Sequence, residues 1–353
     1  MKNNMLYING RFFTQPMYGV NRFAYELTCA LVNMGVDLIV LCPKQEINSA
    51  YDISRLKIIR YGFGASHVWE QFILPFFFIG KKNYILLNFS GLGPITIKDK
   101  FVTIHDLAYL ENPSWYSKAY VLLYKYLTPL SVRTSKQVLT VSKFSKNEII
   151  KRLGVEGNRI SVIYNAAEAN DVEQDDILKK VPSNFILAVS SIDPRKNFVR
   201  LINAFSFIPE QNLVVVGGSY HVFNNVELDT SLSNVKFIGR VSDAELTSLY
   251  KHATAFVYPS LYEGFGIPPI EAMTYGCPVV VSDIEVLHEV CGEAASYVDP
   301  YDERQMAQAF SKISGDESLR QELIVKGYKN IKRFNWRKSS LALLDVLKTY
   351  IDL

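Results

Sequence analysis

Tyr258-Pro-Ser-Leu-Tyr-Glu-Gly-Phe-Gly-Ile-Pro-Pro-Ile-Glu-Ala-Met-Thr-Tyr-Gly-Cys-Pro-Val-Val-Val-Ser-Asp283 reads as strand, glycine loop, short helix, strand. Residues 255–258 are an apolar run of strand length, and Gly264-Phe265-Gly266 is a loop free to take positive φ. Pro268 and Pro269 pre-set φ for a helix start, where a missing N–H costs nothing. Gly276-Cys277-Pro278 ends that helix, and residues 278–282 resume as a buried strand. A glycine loop running into a helix N-terminus presents backbone N–H groups and the positive dipole end to an anion. Glu263 and Glu271 bracket the loop eight residues apart, so both carboxylates can reach what it holds. An anion site flanked by hydroxyl-accepting carboxylates suits a sugar joined to a diphosphate. The plainer alternative leaves Glu271 as a dipole partner in the first turn and Glu263 as a strand end.

Around this stretch, 353 residues are enough for two domains, each with its own core. With 48% apolar and 21% charged residues, the composition is that of a soluble globular protein. The longest apolar stretch, residues 72–80, is interrupted by Pro75 and falls far short of the roughly twenty residues that span a bilayer. Residues 1–10 run into a strand without a cleavable apolar segment, so a cytoplasmic protein is expected. Cys29, Cys42, Cys277 and Cys291 show no paired metal spacing and read as reduced, buried residues. Residues 1–150 carry 17 Lys/Arg against 9 Asp/Glu, whereas residues 201–300 carry 3 against 12. Two differently employed halves and a local anionic partner follow from that split. No RNA- or DNA-binding motif accompanies the basic half, so no nucleic-acid partner is expected.

In the first half, residues 5–9 read as a strand and residues 19–34 as an amphipathic helix with Val20, Phe23, Leu27 and Leu31 on one face. The loop between them ends at a helix N-terminus and is either an anion or sugar contact or an ordinary βα connection. Strands at 36–41, 84–87, 101–105, 137–141 and 160–163 alternate with helical patterns such as 67–78, which predicts a parallel sheet wrapped by helices. Ligands of such a sheet sit at the carboxyl ends of its strands, where Thr103-Ile104-His105-Asp106 falls. Residues 115–136 mix aromatics with Lys and Arg. They read as a segment docking on anionic lipid, or as a core-facing helix with a solvated basic side. Residues 165–180, with Glu168, Asp171, Glu173, Asp175 and Asp176, read as an acidic linker.

In the second half, strands are expected at 185–191, 213–216, 235–238 and 295–298, with a less regular stretch over 219–234. Helices are expected at 302–313, 317–333 and 337–351. Asp193 and Pro194 make a helix entry, and Arg195 and Lys196 then place two cations near the positive end of that helix. The dipole disfavours them there unless an anion sits between, and a forked guanidinium beside an ammonium suits a diphosphate. Ser242 and Glu245 form a capping box that explains both residues.

Glu263 to Glu271, with Gly-Phe-Gly-Ile-Pro-Pro-Ile between them, resembles the E-x7-E signature of retaining nucleotide-sugar glycosyltransferases of family four, which have the GT-B fold. Other stretches fit the same resemblance. Residues 10–22 are similar to the family's N-terminal glycine loop, with Gly19 on the donor side and Asn21, where many relatives carry Gly or Gln, on the acceptor side. His105 and Asp106 resemble the HD motif, whose His contacts the donor sugar; Asp106 is placed on the acceptor side. Arg195-Lys196-Asn197 resembles the motif on the donor diphosphate, with Ser190 and Ser191 where relatives commonly have Gly. Arg240 and Val241 fall in the loop that cradles the base in relatives, and Phe334-Asn335-Trp336 matches an aromatic bend before the final helix.

The resemblance implies an α/β GT-B protein of two Rossmann-like domains facing a cleft. Residues 1–168 with a returning segment 337–353 would form the acceptor side, and residues 169–336 the nucleotide-sugar side. Arg195 and Lys196 would hold the diphosphate and Glu271 the ribose hydroxyls. Glu263, His105 and the amides of Phe265, Gly266 and Ile267 would hold the sugar. Retention by same-face departure and attack is implied, with no metal or other cofactor: His105 has no second His nearby and the sequence has no Asp-x-Asp. Residues 9–22, 68–71 and 87–94 resemble mannosyl- or rhamnosyltransferases of bacterial surface polysaccharides. GDP-mannose is therefore the expected donor and a polyprenyl-diphosphate-linked saccharide such as O-antigen the expected acceptor, at the cytoplasmic face of the inner membrane. Two other readings fit such a chain. One is a nucleotide-sugar epimerase, which would need a different acid/base set, and the other a catalytically silent nucleotide-sugar-binding subunit of a polysaccharide-assembly complex.

Overall fold

The computed structural model describes residues 5–169, 172–218, 228 and 231–351. Asp171 of the acidic linker, the start of the N-terminal reading and most of the stretch from 219 to 230 lie outside the described residues. The chain divides into two compact units, one of residues 1–107, 122–165 and 336–353, the other of 108–121 and 166–335.

The first unit holds a seven-stranded sheet among its described residues. Its strands are β1 Met5–Asn9, β2 Leu38–Cys42, β3 Ile58–Arg60, β4 Tyr84–Asn88, β5 Lys100–Thr103, β6 Gln137–Thr140 and β7 Ile160–Val162. They run parallel in the order β3-β2-β1-β4-β5-β6-β7, so the winding reverses between β1 and β4. The expected strands appear within one or two residues. The short β3 carries only three residues, partly or largely exposed, and gave no apolar run to read. Helix Gly19–Asn33 buries Phe23, Ala24, Leu27 and Leu31, but Val20, expected on that face, is exposed in the first turn. Helix Trp336–Leu347 belongs to this unit, where Ser339 Oγ donates to the Tyr164 carbonyl at 2.7 Å and Trp336 meets the Phe23 ring edge-on.

Two segments depart from the sequence reading. The helix expected over 67–78 changes pitch twice, from α (Ser66–Val68) to π (Trp69–Ile73) to 3-10 (Leu74–Phe78). The π turn lets the consecutive residues Trp69 and Glu70 both point inward. Helix Lys118–Thr134 buries Thr128, Ser131 and Val132 and exposes Leu122, Leu123, Tyr126 and Leu130, so its outer side is apolar as well as basic.

Among its described residues the second unit holds a six-stranded parallel sheet. Its strands are β8 Ile186–Val189, β9 Leu213–Val216, β10 Val235–Gly239, β11 Ala255–Tyr258, β12 Val279–Ser282 and β13 Ala295–Val298. The order is β10-β9-β8-β11-β12-β13, with the reversal between β8 and β11. The central strands are largely buried and almost wholly apolar, Ser282 at the end of β12 excepted, because helices cover both faces of a parallel sheet. Phe198, Leu201, Phe205, Met306 and Phe310 pack with Val215 and Val257 in one core. Pro268 and Pro269 do open helix Ile267–Thr274, and Gly276 takes φ 70° after it.

Candidate functional site

In a doubly wound sheet the crevice lies where the winding reverses, outside the strand carboxyl ends. In the second unit that place is occupied by the loops after β8 and β11. After β8, Asp193 caps a 3-10 turn, Pro194–Lys196, by accepting from Arg195 N at 3.1 Å. Asn197 then takes φ 62° and helix Phe198–Ser206 begins. The two cations thus precede the helix rather than sit in its first turn, and the dipole argument for an anion beside them is replaced by a direct partner. That partner is Glu263. Arg195 Nη1 donates to its Oε2 at 2.9 Å and Lys196 Nζ to its Oε1 at 2.6 Å.

Tyr258, at the end of β11, completes the cluster. Its hydroxyl accepts from Lys196 Nζ at 2.6 Å and donates to Glu263 Oε1 at 2.9 Å. The Lys196 ammonium also stands 4.8 Å from the centre of the Tyr258 ring. Burial pushes the Glu263 pKa up, but Lys196 and Arg195 outweigh it and bring the carboxyl down to about 2. Burial raises the Tyr258 hydroxyl well above its ordinary value, with the Glu263 charge adding to the rise. Arg195, Lys196 and Tyr258 all donate to the Glu263 carboxylate. Glu263 is therefore first of all the counter-ion that holds the two cations in place.

Backbone contacts lock the two loops together. Leu261 N donates to the Arg195 carbonyl at 2.9 Å, and Asn197 Nδ2 donates to the carbonyls of Pro259 at 3.1 Å and Pro300 at 2.7 Å. The loop closes on Gly266, whose φ of 99° suits glycine and whose absent Cβ would lie 2.8 Å from Leu287 Cδ2. The Phe265 ring is buried edge-on against Phe334 at 5.3 Å, so only its backbone can serve a ligand. Ile267 begins the helix that follows. Glu271, on that helix, accepts from Tyr250 Oη at 3.3 Å. Arg240 and Val241 follow β10. The exposed Arg240 side chain runs past Gly218, where a Cβ would lie 3.2 Å from its Nε. The expected capping box of Ser242 and Glu245 is present.

In the first unit, His105 follows β5 and is half-buried, its Nε2 donating to the Phe89 carbonyl at 2.8 Å. Burial lowers its pKa against the pull of that carbonyl and of Asp106 next to it. A neutral ring with Nε2–H fixed leaves Nδ1 as an acceptor. Phe23 braces the ring edge-on at 5.0 Å. Gly19 opens helix Gly19–Asn33 with φ 41°, and Asn21 in its first turn donates back to the Pro16 carbonyl at 3.0 Å, tying the loop to the helix.

Sequence reading missed a buried network at the other reversal point, between β1 and β4. Asn9, the last residue of β1, donates to Glu70 Oε1 at 2.7 Å and to Asn88 Oδ1, on β4, at 2.9 Å. Arg11 stands 3.5 Å from Glu70 Oε1 and donates to the Ser90 carbonyl at 3.1 Å. Burial works to raise the Glu70 pKa, yet Arg11, His67 and Asn9 together bring it below the ordinary carboxylate value. The available signal was Glu70 itself, the one acidic residue between Arg60 and Lys98, inside an apolar run.

Known proteins match both the sequence and this architecture. The family model described as Glycosyltransferase Family 4 matches residues 17–170, and that described as Glycosyl transferases group 1 matches residues 170–330. The O-antigen chain mannosyltransferase RfbU of Salmonella typhimurium is 38% identical over 224 residues, 62% of this chain and 61% of the relative. The chain thus spans about three fifths of that relative's length. The O-antigen chain mannosyltransferase B of Escherichia coli is 28% identical over 76% of this chain and 74% of its own. The Anabaena protein HepE, solved in complex with UDP-glucose, superposes with a TM-score of 0.76 at 16% identity, covering 98% of this chain and 100% of that one. Its fold and the two reversing parallel sheets are those of GT-B proteins. Matched from residue 17 to residue 330 by these two models, the chain belongs to the family 4, group 1 glycosyltransferases.

Proposed function

We propose that the chain transfers a hexose, mannose from GDP-mannose, to a growing surface polysaccharide of the O-antigen kind carried on polyprenyl diphosphate at the cytoplasmic face of the inner membrane. The observation that carries the reading is the Arg195–Lys196–Glu263 cluster at the β8/β11 reversal point. Arg195 and Lys196 meet the donor diphosphate, Glu271 the ribose, and Arg240 and Val241 the base. The amides of Phe265, Gly266 and Ile267, together with Glu263 and Nδ1 of His105, serve the sugar. Gly19 borders the donor phosphate, and Asn21 and Asp106 lie on the acceptor side. The mannosyl assignment is supported by the names of the two O-antigen relatives.

In this reading the bond from the anomeric carbon to the diphosphate oxygen breaks and a bond to the acceptor oxygen forms on the same face. The acceptor proton passes to the departing phosphate, and nucleoside diphosphate is released. The largest contribution of the protein is stabilising charge on that phosphate as it develops, which two preorganised cations supply without a metal. The test is GDP release from GDP-mannose with and without a saccharide acceptor, in the presence of EDTA, followed by NMR of the product anomer. Acceptor-dependent release, insensitive to EDTA and giving an α-linkage from the α-donor, is the expected result. No release with any nucleotide sugar in a folded sample overturns it.

A further inference from the structure

The segment that buries Trp69, Glu70, Leu74 and Phe78 leaves its other side in water. Val68 is 59% exposed, Phe72 68% and Phe76 61%, with Phe63 at 76% before them and Ile79 at 73% after. Val68, Phe72 and Phe76 recur every four residues, so they form a stripe along one side of the helical segment. Exposed apolar side chains gathered in this way mark an interaction surface. Phe63 and Phe76 also line a groove with Lys44 and Arg60.

The surrounding charge has one sign. The single acidic residue between Arg60 and Lys98 is Glu70, which is fully buried and paired with Arg11. Lys44, Arg60, Lys81 and Lys82 are all exposed, and the Lys81 ammonium lies 4.7 Å over the Phe77 ring, its stem along the apolar surface. Tyr124 Oη lies 3.4 Å from His67 Nε2, so helix Lys118–Thr134 runs beside this segment. Its exposed Leu122, Tyr126 and Leu130 extend the apolar face, with Lys125 and Arg133 on the same helix. The sequence has no acidic residue between Glu111 and Glu148.

We propose that this face of the first unit docks on an anionic phospholipid surface. Phe63, Phe72, Phe76 and Ile79 enter the boundary between headgroups and acyl chains, while Lys44, Arg60, Lys81 and Lys82 meet lipid phosphates. Nucleic acid would answer the cations but leave Val68 and Ile79 unmatched. Among the described residues no helix is long and apolar enough to cross a membrane, so the contact is interfacial. The inference deepens the reading of a lipid-linked acceptor and rests on it only for its purpose. Vesicle binding by the chain alone, without donor or acceptor, tests the surface even if the donor assignment fails.

The experiment is co-sedimentation of the full chain with phosphatidylcholine vesicles and with vesicles containing phosphatidylglycerol, at low and high salt. Binding to the anionic vesicles, weakened by salt, is expected. Phe72→Ser and Phe76→Ser should each weaken it about tenfold, and Lys81→Gln and Lys82→Gln about fivefold each. All four side chains are exposed, and an unchanged thermal unfolding midpoint without ligand shows that the variants keep their fold. Equal binding to neutral vesicles, or variants that bind like the parent, would overturn the proposal. So would a folded chain that ignores vesicles but self-associates through Phe72 and Phe76, since the face would then belong to a second copy.

Discussion

Glu263 is almost wholly buried, yet it stays ionised because two cations and a phenol converge on it. The arrangement holds the cations in place without a ligand, so on the proposed reading a diphosphate would meet groups that need little reordering. Arg195→Ala and Lys196→Ala should therefore each lower kcat by about 10²–10³ while changing donor KM by less than about tenfold. Steady-state kinetics would check this, and unchanged turnover in both variants would mean the site is wrongly assigned. The same contacts predict a pH effect. The folded carboxyl value of about 2 lies below its ordinary 4.5, so the folded state binds fewer protons than the unfolded chain between these values. The stabilisation is fully present above pH 4.5 and is lost as pH falls towards 2. Glu263→Gln lacks it. Its Tm should lie below that of the parent near neutral pH, and the gap should narrow through that window. A gap that does not change with pH would show that the carboxylate is not held by its cations.

The loops after β8 and β11 act as one element because contacts to their backbone join them, and the end of β9 braces the first of the two. Gly217, just past β9, has φ 144°, and a Cβ there would fall 1.8 Å from the Ser190 carbonyl oxygen at the head of the Arg195–Lys196 loop. Gly217→Ala must move backbone rather than a flexible side chain. It should cost about 3 kcal/mol or more of stability and weaken nucleotide binding together with it. Denaturant unfolding and a nucleotide titration would measure both; parental values for both would show that the loop is not braced there. What could be read in the sequence at this scale was local. The apolar strand 255–258, the Pro268-Pro269 helix start and the Gly276 stop are each decided by neighbouring residues, and each appears. The π turn at Trp69–Ile73 and the 3-10 turn at Pro194–Lys196 were not legible, because distant partners set them. Glu70 answers to Asn9, and Lys196 answers to Glu263, 67 residues away.

At the scale of the whole chain, the two sheets of the described residues each reverse their winding, and each reversal holds a buried carboxylate beside basic side chains. The alternation of strands and helices announced the sheets. The sequence did not announce that residues 9–22, 68–71 and 87–94 supply one network through Asn9, Arg11, Glu70 and Asn88, since only the strand order brings those stretches together. The Arg195–Lys196–Glu263 cluster belongs wholly to the second unit, so the proposed diphosphate contact can be tested without an acceptor. A ligand bound only by the folded state stabilises it by mass action, about 2.7 kcal/mol at a hundred times its Kd. For a unit of this size that corresponds to a rise of roughly 5–10 °C. GDP and GDP-mannose, added without metal, should raise Tm by that amount, and Lys196→Ala should reduce the rise. A rise with UDP or dTDP compounds instead would keep the diphosphate site and discard the guanine and mannose assignments. No rise with any nucleotide, in a sample that unfolds cooperatively, would leave Arg195 and Lys196 as a structural ion cluster around Glu263 and remove the basis for the transferase reading.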